Sequence, residues 1–220
     1  MIKFVSFDLD GTLLDTSEGI IQSVKYTVGQ MGLTLPNGTD MGFFIGPPIQ
    51  MSLQKCFNLD AETAQKGADI FRTYYKSEAL FMAKPYDGIF EMLEELRRRH
   101  LKIGVATYKR EDYALDILRH FQIADYCDIM CGADNNNVLT KCDIIQNSCK
   151  GARVLPKETL YVGDTEHDAA GAYKAGVPFV GVTWGFGYNS DNKQSEFKIM
   201  AFVDKPSQLL SNKKIPFNYE

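Results

Sequence analysis

The chain opens on a short apolar run, Ile2-Lys3-Phe4-Val5-Ser6-Phe7, rich in strand-favouring residues and lacking any helical period. It predicts a buried strand. From Asp15 to about Ala83 the pattern turns helical, with no strong strand. Asp15 followed by Glu18 resembles a capping box that opens a helix over 17–31, and Gly32 and Pro36-Asn37-Gly38 break it. Ile45-Gly46-Pro47-Pro48 forms a rigid loop, and 61–76 is the longest helical stretch that follows. From Lys84 onward, helix and strand alternate. Ile89, Met92, Leu93 and Leu96 recur at i, i+3, i+4 and i+7, an amphipathic helix. Strands are expected at 102–107, 126–131, 159–163 and 179–183, with helices at 111–120, 141–150 and 166–175. Gly176 is placed as a helix stop. The tail from Asn189 is polar and loop-rich, with a strand-like stretch at 200–203 and a short helix at 206–210.

Strands separated by helices of this length imply βαβ units and a parallel sheet. Right-handed crossovers then give a doubly wound α/β fold. The helical stretch interrupts it, so the expected domains are 1–14 with 84–220 as an α/β core and 15–83 as an all-helical insertion, hinged near Asp15 and Lys84.

Composition narrows the function classes. With 220 residues, 45% hydrophobic and 24% charged, the chain matches a globular protein with a sizeable core. A net charge of −4 and the lack of a basic stripe argue against nucleic-acid binding. Arg97-Arg98-Arg99-His100 is read as a solvated helix end. No apolar run approaches the roughly 18 residues of a membrane span, and no leader pattern opens the chain, so a cytoplasmic location with reduced thiols is expected. Cys127, Cys131, Cys142 and Cys149 have no common zinc spacing and are read as free thiols, the first two in a strand and the last two in a helix.

The chemistry lies at strand ends. Asp8 and Asp10 follow the first strand, and side chains at i and i+2 of an extended chain face one side. Two like charges that close are costly unless a cation or proton sits between them. A second acidic group, Gly163-Asp164-Thr165-Glu166-His167-Asp168, ends another hydrophobic strand. If the two strands are neighbours, Asp8 and Asp164 lie about 5 Å apart, at the carboxyl edge where open α/β sheets bind ligands. An all-carboxylate set there suits Mg²⁺. Thr107 ends the second core strand, and Lys141 stands at a helix start, a good anion site. Together they suit a bound phosphoryl group.

The series Asp-x-Asp-Gly-Thr, strand-terminal Thr, Lys and Gly-Asp-x-x-x-Asp resembles the haloacid dehalogenase superfamily of phosphotransferases over the whole chain. The helical insertion resembles that superfamily's small C1-type cap. Within it, Phe7–Thr16, Ile45-Gly46-Pro47-Pro48, Lys84-Pro85-Tyr86-Asp87-Gly88 and Thr183-Trp184-Gly185-Phe186-Gly187 look most like the phosphoglycolate phosphatase group. The resemblance implies a Rossmann-like core with strand order 5-4-1-2-3. It implies Asp8 as the nucleophile that forms an aspartyl-phosphate, and Asp10 as general acid and then base. Mg²⁺ is expected on the Asp8 carboxylate, the Asp10 carbonyl and Asp164. Thr107 and Lys141 would hold phosphoryl oxygens, helped by backbone N–H groups of Leu9, Asp10 and Tyr108. Asp168 would orient a water or Lys141.

Asp168 also completes a capping box with Thr165, Asp15 is read as a cap, and His167 as a surface residue. The Gly181-x-x-x-Gly185-x-Gly187 run is read as a flexible loop. Lys141 departs from the expected Lys-Pro, since Cys142 follows. The leading expectation is a Mg²⁺-dependent phosphatase acting on a small phosphorylated metabolite, with no nucleic acid or membrane partner, as a monomer or weak homodimer. Competing readings are a phosphoglucomutase-like phosphotransferase, an inorganic pyrophosphatase or nucleotidase, and a silent phosphate-binding regulator. Substrate choice is assigned to the insertion, with Phe43, Gly46 and Arg72 as contacts, and Lys76 beside them.

Overall fold

The computed structural model describes residues 1–134 and 138–217; the last three positions of the tail lie outside them. The chain forms two compact units, Met1–Asp15 with Pro85–Glu220, and Thr16–Lys84. In chain order the first holds β1 (Phe4–Phe7) and the two-residue β2 (Leu14–Asp15). After β3 (Lys84–Pro85) it continues with α4 (Ile89–Arg98), β4 (Lys102–Arg110), α5 (Glu111–His120), β5 (Ile129–Ala133), α6 (Lys141–Ala152), β6 (Thr159–Gly163), α7 (Glu166–Ala175), β7 (Phe179–Val182) and β8 (Ala201–Val203).

The six-stranded sheet has the order β5-β4-β1-β6-β7-β8, parallel throughout. Its first five strands reproduce the order the resemblance implies, and β8 extends one edge from the stretch read as strand-like at 200–203. β1 is central and all four of its residues are buried, as expected of a strand covered on both faces; its one polar side chain, Ser6, pairs with the Ser148 hydroxyl at 3.2 Å. Each fully buried aliphatic such as Val5, Ile103 or Leu160 contributes about 1.5–3 kcal/mol. In α4 the predicted stripe Ile89, Met92, Leu93 and Leu96 is the buried face. Gly176 ends α7 at φ 70°, a left-handed conformation that glycine adopts without a side-chain clash.

Three differences from expectation stand out. β4 runs three residues further, to Arg110, through a register shift between Ala106 and Arg110. β5 begins at Ile129 rather than 126, because Ala124–Tyr126 make a 3₁₀ turn and the Asp128 carboxylate accepts the Ile103 N–H at 2.8 Å. Cys127 therefore lies outside the strand. The expected helix at 206–210 is a 3₁₀ turn, Pro206–Gln208.

The helical unit contains α1 (Ser17–Gln30), a 3₁₀ turn (Met41–Phe44), α2 (Ile49–Phe57) and α3 (Ala61–Tyr74), which continues as a π-turn over Tyr75–Ala79. Val24, Val28, Leu53, Ala64, Ala68 and Phe71 form its buried interior. Asp60 caps α3 by accepting the Thr63 N–H at 2.8 Å. The capping expectation for Asp15 is overturned. Asp15 closes the extended β2, and Thr16 takes the N-cap position of α1 without a side-chain capping bond.

Candidate active site

Every chemically distinctive residue of the α/β unit stands at the carboxyl edge of the sheet. The Asp8 N–H donates to the Val162 carbonyl at 2.8 Å, so the first acidic group leaves β1 in register with the end of β6. Asp164 follows β6 directly, Asp168 sits in the first turn of α7, and Lys141 is the first residue of α6. All four are buried. Capping boxes Thr140–Asp143 and Thr165–Asp168 fix the starts of both helices, and so the positions of Lys141 and Asp168.

The Lys141 ammonium donates to Asp8 Oδ1 at 2.6 Å and lies 2.7 Å from Asp168 Oδ1. Asp168 thus makes contacts of both expected kinds. Its Oδ2 accepts from the Thr165 N–H and hydroxyl at 3.0 and 2.6 Å, while Oδ1 faces Lys141. Asp164 is held from two sides: Oδ1 accepts from the Thr12 hydroxyl at 3.2 Å and Oδ2 from the Phe186 N–H at 2.7 Å. The Trp184 indole N–H donates to the Thr12 carbonyl at 3.0 Å, tying the two loops together.

The glycine loop is therefore a clamp rather than a flexible segment. A Cβ on Gly185 would collide with the Gly11 carbonyl and Asp164 Oδ2, so only glycine permits this approach. The motif's spacing was visible in the sequence, but the group it closes on was not.

Oxygens of Asp8, Asp164 and Asp168 lie within 4.8 Å of one another. Three buried carboxylates face one buried ammonium, which leaves two negative charges uncompensated. The protonation behaviour reflects that imbalance. Burial raises Asp8 to about 6 against the pull of Lys141, and the Asp168 and Asp10 carboxylates add repulsion. Burial, then Asp168 and Asp8, push Asp164 well above the usual carboxylate range. Burial opposes the Lys141 charge, but Asp168 and Asp8 outweigh it and hold the ammonium above its ordinary range. An all-oxygen set with a deficit of two positive charges fits a hard divalent cation.

Asp10 departs from the expected carboxylate cluster. β1 ends at Phe7, so the i, i+2 rule no longer governs Asp10. Its carboxylate instead meets the Lys109 ammonium at 2.9 and 3.2 Å. Lys109 was missed because the strand was expected to end at Thr107. Lys109 stands two residues beyond Thr107, on what only the fold shows to be the same strand. Thr107 is buried, and its hydroxyl accepts the Lys109 N–H at 3.1 Å. Leu9 is fully buried at the turn after β1, and Tyr108 packs partly buried beside the core. Tyr161, also unforeseen, donates its hydroxyl to the Ala106 carbonyl at 2.5 Å and lies 3.5 Å from Asp168 Oδ1. His167 is exposed, as expected.

The substrate contacts expected from the insertion lie in the helical unit. Phe43 is in the 3₁₀ turn and exposed, Gly46 has φ 99°, and Arg72 pairs with Asp69 one turn earlier on α3 at 3.3 Å. The five cysteines are free thiols. No helix among the described residues is long and apolar enough to cross a membrane.

A parallel sheet of this order with aspartates at the ends of β1 and β6 and a lysine opening α6 defines a known class of hydrolase. The model of the haloacid dehalogenase-like hydrolases matches residues 5–182, and the chain belongs to that family. Among its relatives, a tyrosine-protein kinase of Mycobacterium tuberculosis, PtkA, is 34% identical over 84% of this chain; the match spans 63% of the kinase's length. A 5'-nucleotidase of Pseudomonas aeruginosa is 32% identical over 83% of each chain. A phosphoglycolate phosphatase of Agrobacterium fabrum is 31% identical over 82% of this chain and 80% of its own. The crystal structure of a predicted phosphatase from Clostridium acetobutylicum superposes with a TM-score of 0.86 at 34% identity, covering 96% of this chain and 97% of the other.

Proposed function

We propose that the chain is a Mg²⁺-dependent phosphatase that hydrolyses a small phosphate monoester of the phosphoglycolate type through an aspartyl-phosphate on Asp8. The observation that carries this reading is the buried group Asp8, Asp164, Asp168 and Lys141, three carboxylates against one ammonium at a sheet's carboxyl edge. The carboxylates of Asp8 and Asp164 and the carbonyl of Asp10 would hold Mg²⁺, which supplies the charge neutralisation that lets an anionic carboxylate meet an anionic phosphate.

Asp8 forms a bond to phosphorus as the ester P–O bond breaks, and Asp10 gives its proton to the departing oxygen. Asp10, now a carboxylate, takes a proton from the water that attacks the phosphorus, and the Asp8–phosphate bond breaks. Lys141 and the Thr107 hydroxyl bind phosphoryl oxygens. Asp168 keeps the lysine in place, and Tyr161 ties β6 to β4 at the Ala106 carbonyl. The helical unit acts as a cap and chooses the substrate, because the core offers groups only for phosphate.

The second reading is phosphoryl transfer from Asp8 to an acceptor hydroxyl in place of water, and the likeness to a protein named as a kinase supports it. Phosphate release from 2-phosphoglycolate, pyrophosphate, sugar phosphates and nucleoside monophosphates, with and without Mg²⁺, tests the proposal. Turnover should require Mg²⁺ and fall on the order of 10³-fold or more in Asp8→Asn. Metal-independent release, or release that survives the substitution, would refute it.

A further inference from the structure

Lys109 has no part in the mechanism above, yet its pair with Asp10 is built with care. The ammonium reaches both carboxylate oxygens, and the two side chains are only 7% and 14% exposed. An ion pair withdrawn from water costs desolvation on both partners and is weak evidence of stabilisation. It therefore needs another reason.

The backbone is shaped to deliver it. β4 loses register with β5 between Ala106 and Arg110, an irregularity of the kind that re-aims side chains beside active sites. The Thr107 hydroxyl accepts the Lys109 N–H across this irregularity. On β5, Gly132 makes room for the displaced strand: a Cβ there would meet the Glu111 backbone and, at 2.8 Å, the Lys109 carbonyl. The neighbouring Arg110 is engaged with Asp112, so Lys109 is the strand-end cation turned to the site.

We propose that Lys109 is the positioning residue of Asp10, fixing its carboxyl group for both proton transfers. A carboxylate offers about four lone-pair directions over its two oxygens. One ammonium shared between both oxygens sets the carboxyl plane and leaves a direction on each for a leaving oxygen or a water. The carboxylate that re-forms after proton donation is also born beside a cation, without any rearrangement. This role rests on the acid–base reading of Asp10.

The test is rapid-mixing kinetics of the Mg²⁺-loaded protein with p-nitrophenyl phosphate and with an alkyl phosphate, in wild type, Lys109→Met and Lys109→Arg. Nitrophenolate leaves without a proton, so formation of the Asp8 phosphate should persist in Lys109→Met as a burst of one equivalent. The steady-state rate should fall on the order of 10²-fold, because hydrolysis needs the Asp10 base. With the alkyl ester even formation of the intermediate should slow, and Lys109→Arg should recover much of both rates. Burst and steady state falling together, or neither changing, would overturn the assignment. So would a rise in KM or in the inhibition constant for inorganic phosphate with kcat unchanged, which would make Lys109 a phosphate ligand. A wild type that releases no nitrophenolate in an Asp8-dependent way overturns the phosphatase reading itself, and a Lys109→Met protein that still unfolds cooperatively on heating separates either result from a failure to fold.

Discussion

The two units of this chain bury different kinds of polar group. The buried polar side chains of the helical unit are hydroxyls, such as Ser23 and Thr27, which donate to carbonyls one turn back on their own helix at 2.7 and 2.8 Å. Its ion pairs Lys66–Glu62 and Arg72–Asp69 are local to α3. The α/β unit instead buries Asp8, Lys141, Asp164 and Asp168, drawn from three separate stretches of chain. Local pairs on a helix assist folding and ask nothing of the rest of the molecule. A group of like charges gathered from distant segments works against stability, and such a violation marks a functional site. The helical unit is built to fold, the edge of the sheet to act.

The largest expected effect tests that contrast directly. Lys141→Met removes the one buried cation between Asp8 and Asp168, and breaking a buried pair in this way costs about 3–5 kcal/mol. In a chain of this size that lowers Tm by roughly 2–4 °C per kcal/mol. Calorimetry of the metal-free protein should show the loss, and added Mg²⁺ should restore part of it by supplying the missing charge. Lys66→Met, the matching change on the helical unit, should leave Tm within about 1 °C, since its pair is solvated. Equal losses from the two substitutions would erase the distinction.

A second, smaller effect separates the units by pH. In the metal-free fold Asp8 titrates near 6, above the 3.8 of the unfolded chain. The folded state thus holds a proton that the unfolded state has released, and stability declines as pH rises from about 4 to 6. On the helical unit, the capping bonds from Thr63 lower Asp60 instead, so its contribution is lost only as pH falls below 3.8. Between pH 4 and 6 the response should come from the core. Mg²⁺ competes with the Asp8 proton, so its affinity, followed by calorimetric titration, should weaken below pH 6 by roughly tenfold per pH unit for each proton displaced. An affinity flat down to pH 5 would remove Asp8 from the metal site.

Legibility in the sequence follows the same division. β1, β6, α5 and α7 could be read because continuous apolar runs or clean helical periods end on a charge or a glycine, and both the pattern and its stop are local. Asp8, Asp164 and Lys141 come together because each sits at such a stop on adjacent elements. Lys109 could not be read, because the register shift that extends β4 depends on Gly132 of the neighbouring strand. The clamp on Asp164 was equally hidden: Thr12 lies far along the chain from Gly185 and Phe186, and the glycines look like flexibility until the fold shows what they approach. Asp15 failed as a cap for a simpler reason, since a two-residue strand claimed it first.

The smallest expected effect lies on the helical unit and asks whether it selects the substrate. Arg72 is partly exposed, its side chain 25% accessible, and its charge is shared with Asp69 at 3.3 Å. A shared charge attracts a second carboxylate weakly, so Arg72→Ala should raise KM for an acidic ester such as 2-phosphoglycolate by about 5-fold, equivalent to roughly 1 kcal/mol. The KM of a neutral sugar phosphate should stay unchanged, and so should kcat for both, because no group that handles the phosphoryl or its proton has been touched. Asp69→Asn should act in the opposite direction by freeing the guanidinium. If kcat falls for both esters, α3 contributes to the chemistry and the division between a folding unit and an acting one is wrong. If KM rises equally for both, the helical unit affects access but does not discriminate by charge.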